Sequence, residues 1–358
     1  MKKIDKFISG LFFLLLMTRC TSVPPPPPAA DREPPAFLFY KKALACIENE
    51  QYEKALVLLD TAIAMKSEFA QFYYAQGQVY ELLGNHISAV ISYESALRYK
   101  SHYPDTWKKL AHLYMEVGQY EKASQMLTSL ISYLPDSLEF ELQLAESYIL
   151  DGKPLKALER LNYYEKRGGS SIEKWRLQGM AYFVQGNYKL AVDWLDTYVA
   201  NVQENYSAQK YLGISCVHMG LLEKGISALN KALQMNPQDP EIYIYRAQYF
   251  LQLKKVDAAA SQFQYALLLD DKNILVLLEN SKFLLLQGDT LKAEKLLQKA
   301  IASYKQCWEC YKYLGIIADE KGNDIEAQQY YENYLRNIYH YDSEVENRLR
   351  NLKLIKPK

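Results

Sequence analysis

From residue 36 onwards, apolar and polar residues recur along the chain with a period of 34 residues. Nine consecutive units fit without an insertion or deletion, and they begin at residues 36, 70, 104, 138, 172, 206, 240, 274 and 308. The eighth residue of every unit is small, and so is the twentieth. The eighth residues are Ala43, Gly77, Ala111, Ala145, Gly179, Gly213, Ala247, Ser281 and Gly315. The twentieth residues are Ala55, Ala89, Ala123, Ala157, Ala191, Gly225, Ala259, Ala293 and Ala327. Self-similarity at one fixed period predicts a tandem repeat array.

The pattern within each unit predicts two short amphipathic helices joined by a turn. Positions 4, 8 and 11 have the i, i+4, i+7 spacing of one helical face. Positions 20, 24 and 27 repeat that spacing, as in Ala89, Tyr93 and Ala96. Glycine stands at position 15 in seven of the nine units. Because glycine adopts a positive φ without strain, we expect the first helix to end there.

These columns resemble the tetratricopeptide repeat, which has an aromatic residue at position 4, small residues at positions 8 and 20, and a terminal proline. The aromatic residues at position 4 are Phe39, Tyr73, Trp107, Trp175, Tyr243 and Tyr311. Pro135 and Pro237 match the terminal proline. The resemblance implies an all-α fold, an α-α superhelix (solenoid) of about nine 34-residue tetratricopeptide repeats over residues 36–341. It also implies that the first helices form a concave groove that holds other proteins or peptides.

An end repeat has no neighbour to cover it, so a capping element is expected after the ninth unit. Val345, Leu349 and Leu352 form one apolar stripe, and residues 342–358 are therefore expected to be a C-terminal capping helix and tail. Position 27 departs from the family pattern, because four units carry a large residue there. Those residues are Leu130, Tyr164, Tyr198 and Tyr334. We expect the packing around them to be looser or rearranged.

Residues 1–20 have the layout of a secretory signal peptide, with lysines before an apolar run from Phe7 to Met17. That run of eleven residues is shorter than the roughly 20 residues that span a bilayer. It ends in a segment, residues 16–20, that resembles the bacterial lipobox, in which the cysteine receives a lipid. Cys20 would be the lipidated residue, whereas Arg19 departs from the small residue that the lipobox requires before the cysteine. The alternative is an ordinary or uncleaved signal peptide in which Cys20 is incidental.

Residues 21–35 form a proline-rich linker that includes five consecutive prolines, Pro24 to Pro28. Such a segment prefers the polyproline II conformation and, at about 3.1 Å per residue, would reach up to roughly 45 Å. A spacer of this kind suits a protein that is anchored at its start. Together with the lipobox resemblance, it predicts an exported, membrane-anchored lipoprotein of the cell envelope that faces the periplasm or the exterior.

The charge balance argues against a nucleic-acid-binding protein. Lysine plus arginine equals aspartate plus glutamate at 42 each, whereas binding to phosphates requires a basic face. The array also leaves no room for a separate catalytic domain, so we expect no enzymatic activity and no cofactor.

Cys307 and Cys310 form a C-x-x-C motif at the start of the ninth unit. A helix N-terminus lowers the pKa of a thiol, so a redox-active pair is one interpretation. The simpler interpretation is a structural disulfide, or two thiols at a repeat junction. A zinc site would need two further ligands, and the sequence has no second C-x-x-C and no paired histidines at ligand spacing, so no metal is expected.

The partner-binding prediction concerns positions 2, 5, 9 and 12 of the first helices, which lie about 120° from the buried face. In the fifth to eighth units this stripe becomes apolar. Its apolar residues are Met180, Phe183, Ile214, Val217, Ile244, Leu251, Leu275, Leu278 and Leu285. Basic residues recur at position 5 nearby, namely Arg176, Lys210 and Lys312. We expect an apolar groove with a basic edge that accepts an amphipathic helix or extended peptide. The competing interpretation is that neighbouring repeats bury these side chains.

The sequence thus predicts a non-catalytic protein-interaction scaffold tethered at the bacterial cell envelope, in the assembly of an envelope or secretion complex. Two alternatives stay open. One is a thiol/disulfide redox partner that uses Cys307 and Cys310. The other is a soluble co-chaperone-like adaptor, although position 9 carries no asparagine in any unit, and the carboxylate clamp of such co-chaperones requires one. The partner's identity and the oligomeric state are not specified by the sequence.

Overall fold

A computed structural model describes residues 34–338 and 341–354. Within those residues the chain forms nineteen α-helices and no β-strand, and the predicted fold class is confirmed. The first helices of the nine units are α1 Pro35–Glu48, α3 Ala70–Leu82, α5 Pro104–Glu116, α7 Glu139–Leu150, α9 Glu173–Val184, α11 Tyr206–His218, α13 Pro240–Gln252, α15 Ile274–Leu286 and α17 Trp308–Glu320. The second helices are α2 Tyr52–Met65, α4 His86–Tyr99, α6 Tyr120–Tyr133, α8 Pro154–Lys166, α10 Tyr188–Asn201, α12 Leu222–Met235, α14 Val256–Leu269, α16 Thr290–Ser303 and α18 Asp324–Leu335. A final helix, α19, covers Ser343–Leu354.

The 34-residue register is kept through all nine units. Every second helix begins 34 residues after the previous one, from Tyr52 to Asp324. The starts of the first helices vary by one residue around the same spacing, because their caps differ: Pro104 opens α5, whereas α7 begins at Glu139. The helices form two compact units that divide within α6, one up to Ser129 and one from Leu130 onwards.

Position 15 ends the first helix with a positive φ in every repeat. The seven glycines there have φ between 69° and 79°. Glu50 and Lys254 occupy the same position in the first and seventh repeats, and their φ values are 57° and 59°. The turn conformation is therefore a property of the repeat, and two repeats adopt it with a side chain that disfavours it.

Within each repeat, the small residue at position 8 lies against the large residue at position 24. At Gly179 an added Cβ would lie 2.4 Å from Cγ of Leu195, and at Gly213 it would lie 2.7 Å from Cγ of Leu229. Because real Cβ atoms do not approach this closely, these two positions require glycine in the present packing. The predicted close approach of the paired helices is confirmed.

The large residues at position 27 are all buried, so the packing there is not looser. Tyr164 is accommodated by Gly169, where an added Cβ would lie 2.3 Å from the tyrosine ring, and its hydroxyl accepts a hydrogen bond from the Ser171 backbone N–H at 2.9 Å. Tyr198 instead donates to Glu173 at 2.8 Å. Of the two expectations for position 27, looser packing and rearranged packing, the structure shows the second: the neighbours of each ring are rearranged.

The C-terminal helix α19 covers the last repeat. Val345, Leu349 and Leu352 are buried in one cluster with Tyr331 and Tyr334 of α18. An ion pair between Arg348 and Asp319, at 2.9 Å, ties α19 back to α17. Among the described residues, no helix combines the length and the hydropathy that crossing a membrane requires. The signal peptide, Cys20 and nearly all of the proline-rich linker lie outside the described residues.

Candidate partner-binding groove

Five residues of the predicted apolar stripe are buried, namely Met180, Ile214, Val217, Ile244 and Leu278. In this structure they cannot contact a partner, so the prediction that they line an open groove is wrong. The reason is the packing of successive repeats: Ile214 and Val217 lie in one cluster with Leu229 of their own repeat and Ile242 of the next. Neighbouring repeats bury these side chains, as the competing interpretation stated.

The predicted basic edge is wrong as well, because its three cations are paired within the chain. Arg176 binds Glu146 of the preceding repeat at 2.9 Å and Glu173 at 2.6 Å. Burial by itself lowers the pKa of the Arg176 guanidinium, but the two carboxylates outweigh burial and raise it. The positive charge of Arg176 is therefore compensated by carboxylates of the chain itself and does not form a basic edge for a partner.

The other two basic residues are also paired with carboxylates of the chain itself. Lys210 binds Asp239 at 2.7 Å and also contacts Glu241. Burial lowers the pKa of Lys210, and these two carboxylates reverse the effect and raise it. Lys312 binds Asp342 at 2.8 Å, in the segment that leads into α19. Each of these cations thus connects neighbouring elements of the array.

The four remaining stripe residues, Phe183, Leu251, Leu275 and Leu285, are partly exposed. The ring of Phe183 packs against Tyr211, with 4.7 Å between centroids. Leu251 and Leu285 come together at a cavity in the second compact unit, whereas Phe183 and Leu275 do not line it. The structure therefore retains two of the predicted groove residues at one open site.

That site, here called the first-helix groove, is a cavity of about 530 Å³ formed mainly by α13, α15 and α17. Its apolar lining consists of Leu251, Phe263, Phe283, Leu285, Leu286, Tyr313 and Ile316. Its polar lining consists of Gln248, Glu279, Lys282, Thr290 and Glu320. Leu286 is 76% exposed at the edge of this cavity. A concave, mainly apolar site with a few polar groups is typical of ligand-binding surfaces.

A row of polar contacts crosses the first-helix groove from one helix to the next. Gln248 of α13 donates to Glu279 of α15 at 3.0 Å. Lys282 binds Glu279 at 2.8 Å and Glu309 of α17 at 3.0 Å. Burial lowers the pKa of Lys282, but the hydrogen bonds to both carboxylates outweigh it and raise the pKa. The positive charge of Lys282 is therefore compensated by Glu279 and Glu309 within the chain.

The groove carries more negative than positive charge. Glu279 and Glu309 share the single ammonium group of Lys282. Glu320 is exposed at the same cavity and makes no ion pair with the part of the chain that the structure describes. The rim is therefore acidic, in contrast to the basic edge that is predicted from the sequence.

Three further residues, Leu286, Tyr313 and Ile316, line the groove and do not belong to the predicted stripe. Leu286 occupies position 13, which is apolar and exposed also at Leu82, Leu150 and Val184. Ile316 occupies position 9 of the ninth unit, one unit beyond the stripe considered. A recurrent exposed apolar residue at position 13 is the signal that could have identified this end of the groove.

Cys307 and Cys310 are joined by a disulfide in the structure. Both residues are buried, in a cluster with Leu277 and Leu314. A substrate thiol would have no access to either sulfur, which disfavours a redox role in this state. Over residues 34–338 and 341–354, no three histidine, cysteine, aspartate or glutamate side chains form a metal-binding group.

Several known proteins are similar to this chain in sequence. The chain is 27% identical over 206 residues to a TPR repeat-containing protein of Methanocaldococcus jannaschii, which covers 55% of this chain and 36% of the relative. It is 23% identical over 259 residues to the BBSome complex member BBS4 of Bos taurus, covering 72% and 48%. It is 22% identical over 270 residues to the human protein O-mannosyl-transferase TMTC1, covering 73% and 22%. The chain thus spans less than half of the length of each of these relatives.

Solved structures with the same fold include a tetratricopeptide repeat protein from Parabacteroides merdae, with a TM-score of 0.53 and 17% identity, covering 67% of this chain and 95% of that one. Another is the APC/C hetero-tetramer Cut9–Hcn1, with a TM-score of 0.57 and 15% identity, covering 90% and 78%. Profiles of the tetratricopeptide repeat match residues 40–104, 142–208 and 212–273, and a further one matches residues 82–140. These matches cover more than half of the sequence, and the chain belongs to the tetratricopeptide repeat family.

Proposed function

We propose that this chain is a non-catalytic scaffold that binds a partner protein through the first-helix groove. Tetratricopeptide repeats mediate protein–protein interactions, and the first-helix groove is a concave, mainly apolar part of the described surface. The observation that carries the proposal is the pairing of a 530 Å³ cavity with the exposed side chain of Leu286 at its edge. Exposed apolar surface next to a cavity is typical of an interaction site.

The chemistry of the groove indicates the kind of partner. Its walls accept aliphatic or aromatic side chains, and its rim carries the carboxylates of Glu279, Glu309 and Glu320 against the ammonium of Lys282. The matching partner is an amphipathic segment with apolar anchors and basic flanking residues. The match to the O-mannosyl-transferase covers only 22% of that protein, and supports the repeat rather than transferase activity.

A binding experiment tests this site. The variant Leu286→Asp with Ile316→Asp should weaken binding of a fluorescent Leu/Lys amphipathic peptide at least tenfold, because two carboxylates would line the apolar wall. Partner capture from detergent-solubilised envelopes should fall in parallel. Ile325→Asp, on the exposed face of α18, is the matched control, since Ile325 is 78% exposed and lies outside the groove. Equal affinity of the groove variant and the control would rule out this site.

We further propose that the scaffold is an exported lipoprotein tethered to the cell envelope through Cys20, with residues 21–35 as the spacer. The resemblance of residues 16–20 to a lipobox and the proline-rich segment that follows support this proposal. Assembly of an envelope or secretion complex is the corresponding role.

The tether has its own test. Cys20→Ser should move the protein from the membrane fraction to the soluble fraction and abolish labelling with radioactive palmitate. Ser22→Ala is the control and should behave as the parent does. Arg19→Ser should speed maturation, because a small residue before the cysteine favours cleavage. Retention of Cys20→Ser in membranes, with unchanged labelling, would reject the lipid anchor while leaving the groove proposal intact.

A further inference from the structure

A second groove lies between α14 and α16, and it shares Phe283 of α15 with the first-helix groove. This second-helix groove is a cavity of about 380 Å³. The residues that define it are Gln264, Leu267, Phe283, Lys292, Lys295 and Leu296. Its apolar lining comes from α14, α15 and α16, and its charged lining is two lysines from α16. No carboxylate lines it, in contrast to the first-helix groove.

Elsewhere in the array, a lysine at position 19 crosses the equivalent gap between second helices. Lys122 of α6 binds Glu94 of α4 at 3.3 Å. Lys224 of α12 binds Asp196 of α10 at 2.7 Å. In both cases the acid stands at position 25 of the preceding repeat. The lysine at 19 and the acid at 25 therefore form a recurring bridge between successive second helices.

The second-helix groove has the lysine of this bridge without its acid. Lys292 stands at position 19 of the eighth repeat, and position 25 of the seventh is Gln264. Lys292 instead turns to Asp289 at the start of its own helix, at 2.7 Å. Lys295, one turn further along, makes no ion pair with any described residue. The groove thus holds one cation without a counter-charge and one that is paired only locally.

The floor of this groove lacks a side-chain connection between its two walls that the second repeat has. There, Gln76 at position 7 donates to Asp60 of α2 at 2.7 Å and accepts from Ser92 of α4 at 3.2 Å, so that it connects both walls. The residue at position 7 of the eighth repeat is the shorter Asn280, which donates to the backbone carbonyl of Phe263 at 3.4 Å. This side chain satisfies the backbone and does not connect the two walls.

Exposed apolar side chains flank the opening. Leu268 of α14 is 81% exposed and Leu291 of α16 is 68% exposed. Leu268 lies one turn after Gln264 on α14, and Leu291 lies one turn before Lys295 on α16, so both leucines extend the apolar surface next to the cavity lining.

We propose that the second-helix groove binds an acidic amphipathic segment of a partner protein, independently of the first-helix groove. Apolar side chains of that segment would fill the space beside Leu267, Phe283 and Leu296. One of its carboxylates would take the position that Glu94 and Asp196 occupy in the other bridges, opposite Lys292, and a second would pair with Lys295. Charge complementarity decides the occupant, because the polar groups at this cavity are cationic or neutral.

The experiment supplies the missing acid from within the chain. Gln264→Glu restores the bridge to Lys292 and should weaken binding of a fluorescent Leu/Glu amphipathic peptide at least tenfold. Lys292→Glu with Lys295→Glu should abolish it. Asn230→Asp makes the same charge change at position 25 of the sixth repeat, away from Lys292 and Lys295, and is the matched control, which should bind as the parent does. Circular dichroism and the thermal midpoint verify that each variant folds.

Two comparisons assign the result to this groove. The Leu286→Asp with Ile316→Asp variant should retain the acidic peptide, so a failure of the first-helix groove would not affect this outcome. The peptide with every glutamate replaced by lysine should bind the second-helix groove at least tenfold more weakly. No binding of the acidic peptide to the parent protein, or equal binding by Gln264→Glu and Asn230→Asp, would overturn the proposal.

Discussion

Gly77 lies directly against the ring of Tyr93, so that a Cβ at Gly77 would be 2.6 Å from Cε1 of the tyrosine. The same relationship joins Gly315 to Tyr331 in the ninth repeat, where the distance would be 2.5 Å. Repeats with leucine at position 24 pair it with alanine at position 8 in three cases. Those pairs are Ala43 with Leu59, Ala111 with Leu127, and Ala145 with Leu161. Both repeats with tyrosine at position 24 have glycine at position 8, whereas leucine at position 24 tolerates either glycine, as in Gly179 with Leu195, or alanine.

This complementarity predicts a compensating pair of substitutions. Gly77→Ala should lower the free energy of unfolding by about 1–3 kcal/mol, because the added methyl group overpacks the contact with Tyr93. Adding Tyr93→Leu should recover part of that loss by recreating the alanine–leucine pair of three other repeats. Recovery would be incomplete, since the hydroxyl of Tyr93 also donates to Glu81. Urea unfolding of the two single variants and the double variant measures the coupling, and additive effects would contradict it.

The repeat architecture could be predicted from the sequence because it depends on contacts inside one 34-residue unit. Position 8, position 20 and the turn at position 15 are all satisfied by residues close along the chain. Glu50 and Lys254 show the strength of this constraint, since both adopt the positive φ of the turn without being glycine. The period fixes the conformation even where the residue is unfavourable.

These two turn residues are sites for stabilisation. A left-handed conformation costs a non-glycine residue about 1–2 kcal/mol, and the greater freedom of glycine in the unfolded chain offsets about 0.5–1 kcal/mol of that gain. Glu50→Gly and Lys254→Gly should each raise the free energy of unfolding by about 1 kcal/mol. The control Lys255→Gly changes the next residue, whose φ is −94°, and should give no gain. Chemical denaturation of the three variants tests the assignment of strain to position 15.

Glu141 occupies position 4, where six other repeats carry an aromatic residue, and it is only 2% exposed. Burial raises the pKa of its carboxyl group, and Arg160 opposes the shift from 3.8 Å. Its Oε2 atom has no hydrogen-bond partner in the described structure. Replacing a buried, poorly paired charge by an apolar side chain should stabilise the fold.

Glu141→Leu should therefore raise the free energy of unfolding at pH 7 by about 1 kcal/mol. The pKa of Glu141 is higher in the folded protein than in the unfolded chain. The native protein therefore loses stability as the pH rises from the unfolded pKa to the folded pKa. The advantage of the leucine variant should shrink as the pH falls through the raised folded pKa towards about 4, below which the carboxyl is neutral in both states. Glu139→Leu, at an exposed position on the same helix, is the control and should show no such dependence.

At alkaline pH the buried tyrosines control stability. Burial and the hydrogen bond to Glu173 raise the pKa of Tyr198 to about 12, and burial and the bond to Asp342 do the same for Tyr334. A raised tyrosine pKa leaves stability intact below the ordinary value near 10 and removes it as pH rises through about 12. The double variant Tyr198→Phe with Tyr334→Phe should lose less stability between pH 9 and pH 11.5 than the parent. Tyr265→Phe changes an exposed tyrosine and is the control. Its loss of stability between pH 9 and pH 11.5 should equal that of the parent.

The binding site could be predicted only in part, because it depends on how successive repeats cover one another. Position 9 is buried at Met180 and Ile214, whereas at Lys282 and Ile316 it lines the first-helix groove. A helical projection of one unit assigns these residues to the same face. It contains no information about the side chains that a neighbouring repeat places over that face.

This difference within one column gives the last prediction. Ile214→Asp places a carboxylate in a fully buried cluster without a paired cation, and should lower the free energy of unfolding by several kcal/mol or prevent folding. Leu286→Asp places the same carboxylate on a side chain that is 76% exposed, and should change stability by less than about 0.5 kcal/mol. Thermal unfolding and binding of the Leu/Lys peptide, measured on both variants, separate the two roles. Ile214→Asp should lower the thermal midpoint or prevent folding. Leu286→Asp should lose peptide binding and keep the thermal midpoint of the parent. If Ile214→Asp is as stable as the parent but does not bind the peptide, Ile214 contacts the partner. That result would contradict the burial of Ile214 in the structure.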